Sequence, residues 1–177
     1  IVQHYDALIK KQSAPLALSS ITEVIADDLN YHNSDKYIKD RTFWLTQLKS
    51  DREVPSLTDQ TAFSSHSFLY HQHYVGSHFS RQLVDFAEQH GCSWADVLTL
   101  LTTAYIARHT GQAEIRVGVP YMGRMGNKSA LSIATVMNVT PFQLEINEKL
   151  SLSEFLQQGA HALMLTRRHG RYRSEQL

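Results

Sequence analysis

Arg124 and Asn138 are the two side chains whose type and spacing point most directly to chemistry, because they flank one irregular loop between two apolar extended runs. An arginine at the end of an apolar strand, next to Gly123, can reach into an interior, where a guanidinium requires a carboxylate to offset its desolvation, or it can stand in solvent on an exposed loop. Asn138 lies among valines, and an unpartnered buried amide there would cost about 1–3 kcal/mol, so it must bond either loop backbone or a substrate amide. Neither residue alone names a reaction.

Other groups carry less. Of ten histidines, His71 and His73 would share one face of a strand with His66 nearby, a geometry that could hold zinc with a fourth ligand from elsewhere. With no CxxC, no HExxH and a single cysteine, the expectation is no metal and a solvated strand face. Cys92 follows Gly91 at a helix stop and reads as a small structural residue rather than a nucleophile. There is no GxSxG, no P-loop and no GxGxxG, which removes the hydrolase, nucleotide and dinucleotide readings. Arg167, Arg168, Arg171 and Arg173 could meet an acidic partner surface, although a helix C-terminus explains half of that cluster.

The elements that must position these residues are legible in part. Ile115, Val117, Val119 and Tyr121 alternate with Arg116, Gly118, Pro120 and Met122, the two-residue period of a strand, and a second such run covers Ile133 to Leu144 and reads as buried on both faces. Between them, GRMGNKSALS holds Gly123 and Gly126, which permit unusual backbone angles. Ile1 to about Gln12 is helical by spacing and stops at Pro15. Ser20 with Glu23, Ser93 with Asp96 and Ser151 with Glu154 are capping-box patterns, each opening a helix. The Ser93 helix presents Trp94, Val97, Leu98, Leu101, Ala104 and Tyr105 as one apolar face, ends before Gly111, and is expected to be the most buried. Ser34 caps a helix with Tyr37, Arg41, Trp44, Leu45 and Leu48 along a stripe. Phe68 to Val75 is a strand by composition, and a helix with Phe79, Leu83, Phe86 and Ala87 inward follows from Ser77.

At 177 residues and 42% hydrophobic content, the chain can hold one sizeable core or a compact piece of a larger one. Seventeen basic and 17 acidic residues cancel, which argues against a nucleic-acid or anionic-membrane surface. No run of about 18 apolar residues exists, so no membrane span is expected, and one cysteine fits a reducing cytoplasm. The sequence begins in mid-pattern and reads as a segment of a longer polypeptide.

Four segments together resemble the condensation domain of nonribosomal peptide synthetases, particularly siderophore-type synthetases such as enterobactin synthetase. YIKDRTFW is similar to the family motif with an aspartate four residues before a tryptophan, here Asp40 and Trp44. VGVPYMGR resembles the strand and loop that carry the family's arginine, which falls on Arg124. IATVMNVTPFQLEI is similar to the strand motif whose asparagine falls on Asn138. RRHGRYRSEQL matches a histidine, a tyrosine three later and a glutamate three beyond, here His169, Tyr172 and Glu175. All four stand in the family's order. Ala134 replaces the usual glycine, and the family's double-histidine motif is absent, since no two histidines are adjacent.

The resemblance implies an α/β, chloramphenicol-acetyltransferase-like fold, with a mixed sheet flanked by helices and two lobes around a tunnel. Residues 1–50 would be the end of the first lobe and connecting helices, 51–66 a connector, and 67–177 the second lobe, incomplete at its C-terminus. It further implies amide formation between substrates carried as phosphopantetheine thioesters on upstream and downstream carrier domains, with an adenylation domain in the same polypeptide and no cofactor bound here. No catalytic residue is expected in this chain, because the catalytic histidine would lie upstream of Ile1. Arg124 would pair with the aspartate of that upstream motif. Asn138 would brace the tunnel, with Gly118, Pro120, Tyr121 and Ala134 along it, and Arg167, Arg168 and Arg171 are the candidates for a carrier-facing surface. A silent docking module, or an ester-forming, epimerising or cyclising relative, would share the fold.

Overall fold

A computed structural model of the chain describes residues 2–13, 18–48, 54, 56–58, 66–67, 69–124 and 128–177. In order the elements are α1 (Val2–Ile9), α2 (Ile21–His32), α3 (Asp35–Gln47), α4 (Ser77–Gln89), α5 (Trp94–Thr110), β1 (Glu114–Tyr121), β2 (Asn138–Glu145) and α6 (Leu152–Arg168). Short 3-10 turns occupy Lys128–Leu131 and Ser174–Gln176. The chain forms two compact units, one of Ile1–Thr46, Pro120–Thr140 and His169–Leu177, the other of Gln47–Val119 and Pro141–Arg168. No described helix is long and apolar enough to cross a membrane.

Helix starts follow from side chains that satisfy the free N–H groups of a first turn. The Ser20 hydroxyl accepts from the Glu23 N–H at 3.2 Å while the Glu23 carboxylate accepts from the Ser20 N–H at 2.9 Å, a reciprocal cap on α2. Ser93 and Asp96 do the same for α5, at 3.1 and 3.3 Å. Ser151 and Glu154 repeat it for α6. The Tyr37 N–H donates to the Ser34 hydroxyl ahead of α3. At its other end α5 stops on Gly111, whose φ of 70° is the left-handed turn that a side chain would resist.

In the second unit, α5 packs against α4 and α6. Ala87 from α4, Val97 and Leu100 from α5, Phe142 and Leu144 from β2, and Leu156 and Leu163 from α6 form its apolar core. Gly159 allows the close contact of α6 with α5, since a Cβ there would stand 2.3 Å from a Leu100 methyl. The Ala113–Ile146 backbone bond and the Arg116–Gln143 side-chain bond run in opposite directions along the chain, so β1 and β2 pair antiparallel.

Several sequence expectations are corrected. Phe68 lies outside the described residues, and 69–75 is exposed and forms no strand; β-favouring composition makes a strand only where a partner takes up its backbone groups. The second extended run starts at Asn138 rather than Ile133. It buries one face, Asn138, Thr140, Phe142 and Leu144, rather than two. The buried stripe of α5 is Val97, Leu100, Thr103 and Ala107, while Trp94, Leu98, Leu101 and Tyr105 are exposed. Apolar residues surround that helix, so composition alone does not choose its inner face. The 51–66 connector and the 125–127 loop tip fall mostly or wholly outside the described residues.

Candidate functional site

The first unit is built around a carboxylate with no solvent exposure. Asp40 lies on α3 four residues before Trp44, and a buried charge is tolerated only when its lone pairs are taken up. The Tyr31 hydroxyl donates to Asp40 at 2.9 Å, the His169 Nδ1 at 2.7 Å, and the Lys36 ammonium pairs with the same group. Burial, reinforced by Asp40, pushes the Tyr31 phenol far above its usual range. One turn along α3, the Trp44 indole Nε1 donates to the His169 carbonyl at 2.9 Å. The Phe43 ring stacks on the His169 imidazole, with centroids 4.0 Å apart and planes 14° from parallel. Residue 169 is therefore held through its ring face, ring nitrogen and backbone.

Asn138 grips the same tail from β2. Its amide nitrogen donates to the Gly170 carbonyl at 2.9 Å and the Tyr172 carbonyl at 2.7 Å. Its amide oxygen accepts from the Val139 N–H at 3.0 Å, the Ser174 hydroxyl at 3.0 Å and the Ser174 N–H at 3.3 Å. An asparagine amide has two donors and one acceptor oxygen, so this side chain is saturated by the protein. Of the two alternatives open from sequence, loop backbone or substrate amide, the geometry selects the backbone. Gly170 then lies directly under Tyr121, where a Cβ would come within 2.8 Å of the ring. Burial raises the Tyr121 phenol, partly countered by the Arg171 cation.

Arg124 is half-buried, and two of its donors reach the carbonyls of Ser132 and Ala134, each at 2.8 Å. Those bonds fix the plane of the guanidinium and tie the end of β1 to the descending loop. Gly123, beside it, takes a φ of 63° with its α-carbon against the Val136 carbonyl. Tyr121, Gly123, Asn138, Gly170 and Arg171, with Asp27 of α2, line a cleft of about 420 Å³. Gly118 and Pro120 are exposed on β1 and do not line it, while Ala134 is half-buried and contributes its carbonyl to Arg124.

The arginine cluster is engaged internally. Arg167 pairs with Asp96. Arg171 bonds the Asp27 carboxylate and carbonyl, both at 2.7 Å, and lies 4.4 Å over the Tyr31 ring. Arg173 bonds the Met137 carbonyl and Glu175, both at 3.1 Å. Arg168 is exposed. His71 and His73 are exposed too, and among the described residues no three metal-ligating side chains come together. Burial, with Asp96 nearby, raises the Cys92 thiol, the opposite of an activated nucleophile.

Asp27, Tyr31 and the His169 imidazole escaped the sequence reading as site residues. Asp40 had a signal, a carboxylate four residues from a tryptophan on one helical face. His169 had none beyond its motif, because its partners lie 125 and 129 residues away.

Asp40, Trp44, Arg124, Asn138, His169, Tyr172 and Glu175, which carry the four motif segments, all fall in one unit. A family model described as "Condensation domain" matches residues 1–177, and the chain belongs to this family, the condensation domains of nonribosomal peptide synthetases. It is 35% identical over its whole length to the dimodular nonribosomal peptide synthase of Bacillus subtilis (strain 168), of which it covers 8%. To the vanchrobactin synthetase VabF of Vibrio anguillarum it is 27% identical, over 92% of this chain and 6% of that one. Among solved structures, the first condensation domain of the CDA synthetase superposes with a TM-score of 0.86 at 25% identity, over 99% of this chain and 40% of that one. The chain thus spans well under half of the relatives it matches. Its fold is the chloramphenicol-acetyltransferase-like α/β fold of this family.

Proposed function

We propose that this chain is the part of a condensation domain that walls the reaction channel for amide formation between two carrier-bound substrates. The acceptor amine attacks the carbonyl of the donor thioester. A C–N bond forms, the C–S bond breaks, and the proton lost from the amine ends on the departing pantetheine sulfur, which leaves as a thiol on the freed donor carrier. The phosphopantetheine arms come from upstream and downstream carrier domains of a cytoplasmic multidomain synthetase that also holds an adenylation domain. The general base or positioning histidine belongs to a double-histidine motif outside this sequence, so no residue here is catalytic.

This chain's own residues do the holding. Arg124, its plane fixed by the Ser132 and Ala134 carbonyls, is the cation for the aspartate of that motif. Asn138 acts by holding the Gly170 and Tyr172 carbonyls rather than by touching substrate. Tyr121 stands on the cleft beside them, and Arg168, exposed at the end of α6, is a candidate for a carrier contact. One observation carries the reading: residues from all four motif segments gather in a single unit, where Asp40 meets His169 and Asn138 holds the Tyr172 carbonyl.

The test uses the full-length synthetase with both carriers loaded, reading the acceptor carrier by intact mass. The expected product is an amide, and Arg124→Ala lowers its rate on the order of 100-fold, as misplacement of a reacting group does. An ester product would make the protein an ester-forming relative, and no product from intact wild type would make it a docking module. Unchanged amide formation by a stably folded Arg124→Ala protein removes Arg124 from the role.

A further inference from the structure

We propose that Asp40 and His169 are a positioning pair for the reaction, setting the wall of the cleft that Asn138 and Tyr121 line; the proposal rests on the amide-forming reading above. An ionised carboxylate can only accept, so the 2.7 Å contact places a hydrogen on His169 Nδ1 and fixes which way the imidazole faces. The Phe43 ring covers one face of that imidazole and Trp44 holds the residue's carbonyl. With residue 169 held at three points, Gly170 follows with little freedom. Its carbonyl and that of Tyr172 meet the Asn138 amide at 2.9 and 2.7 Å, and its α-carbon supports the Tyr121 ring with no room for a methyl group.

Tyr121, Asn138 and Gly170 all line the 420 Å³ cleft. Each link from Asp40 to that cleft is directional or in close contact, and hydrogen bonds weaken steeply when bent or stretched. A shift of the imidazole is therefore passed to the cleft wall rather than absorbed. Asp40 sits at the buried end of this chain of contacts and touches no cleft surface itself.

Two substitutions of His169 separate positioning from bulk stability. His169→Asn places an amide nitrogen where Nδ1 stands and can still donate to Asp40, whereas His169→Gln places it where Nε2 stands and cannot. Both lose the Phe43 stack equally. In the full-length synthetase, His169→Asn is expected to keep kcat within about threefold of wild type, and His169→Gln to lose roughly 100-fold in kcat with KM for the loaded carriers unchanged. Hydrogen exchange followed by mass spectrometry should show residues 170–177 protected as in wild type in His169→Asn and exchanging faster in His169→Gln. Equal behaviour of the two variants overturns the pair. A contrast in exchange with none in kcat also overturns it, because the contact would then be structural only. Should wild type form no amide at all, the reading of function falls, and the exchange contrast alone upholds or overturns the pair's hold on the cleft wall.

Discussion

The two units build their interiors differently, although the second also buries Asp96, Thr103 and Thr166. The second fills its core with Ala87, Val97, Leu100, Phe142, Leu144, Leu156 and Leu163. Contacts of that kind are non-directional, and their strength follows the area removed from water. The first buries Asp40, Ser132, Asn138 and Thr140 alongside Tyr31, Trp44 and Tyr172. There, angle and distance decide whether a contact exists at all. An apolar core tolerates small rearrangements, whereas a saturated polar cluster specifies one arrangement, and Asp40, Trp44, Arg124, Asn138, His169, Tyr172 and Glu175 lie in the unit with the polar cluster.

The largest expected effect comes from breaking the polar cluster. Asp40→Ala leaves the Tyr31 hydroxyl and the His169 Nδ1 without their acceptor, and should cost about 3–5 kcal/mol in chemical denaturation, as removal of one member of a buried charged group does. A loss below about 1 kcal/mol, the scale of an exposed pair, would show that the cluster is no more demanding than the surface.

In the apolar unit, Gly159→Ala drives a methyl group into Leu100 and is expected to cost about 1–3 kcal/mol despite alanine's better helix propensity. A double-mutant cycle with Leu100→Ala should return a coupling of about 0.5–3 kcal/mol, because removing the leucine branch makes space for the new methyl group. Strict additivity would mean that α5 and α6 do not meet at this point.

The smallest effect concerns pH. Burial alone would raise the Asp96 carboxyl, but bonds from Arg167 and Ser93 outweigh it and hold the group below the usual carboxylate range. A depressed folded-state pKa contributes stability above the unfolded value near 3.9, and that stability is lost as pH falls through the folded value. Arg167→Gln should therefore flatten the acid limb of the stability profile. The change should stay under about 1 kcal/mol, because the Arg167 side chain is 45% exposed. Identical acid limbs in the two proteins would remove the ion pair from the account.

Local rules were readable before the fold was. Ser20, Ser93 and Ser151 each stand three residues before a carboxylate, and a cap needs nothing beyond its own turn, so all three helix starts were legible. Strand 69–75 was misread because composition reports propensity and says nothing about a partner. The inner face of α5 was misread because Trp94, Leu98, Leu101 and Tyr105 make as good a stripe as the buried one, and the choice is made by α4 and α6. Arg124 and Asn138 were legible as polar groups needing partners. That those partners would be carbonyls of Ser132, Ala134, Gly170 and Tyr172 was not, since backbone groups carry no mark in a sequence. The meeting of α3 with the tail was hidden by distance along the chain.

That distance also has a meaning in time. Asp40 and His169 are separated by 129 positions, and at roughly 5–20 residues per second a ribosome makes the first on the order of ten seconds before the second. Through that interval the nascent helix carries a carboxylate that already has Tyr31 and Lys36 beside it but not yet His169, so the contact that closes this cluster is among the last that this sequence can make.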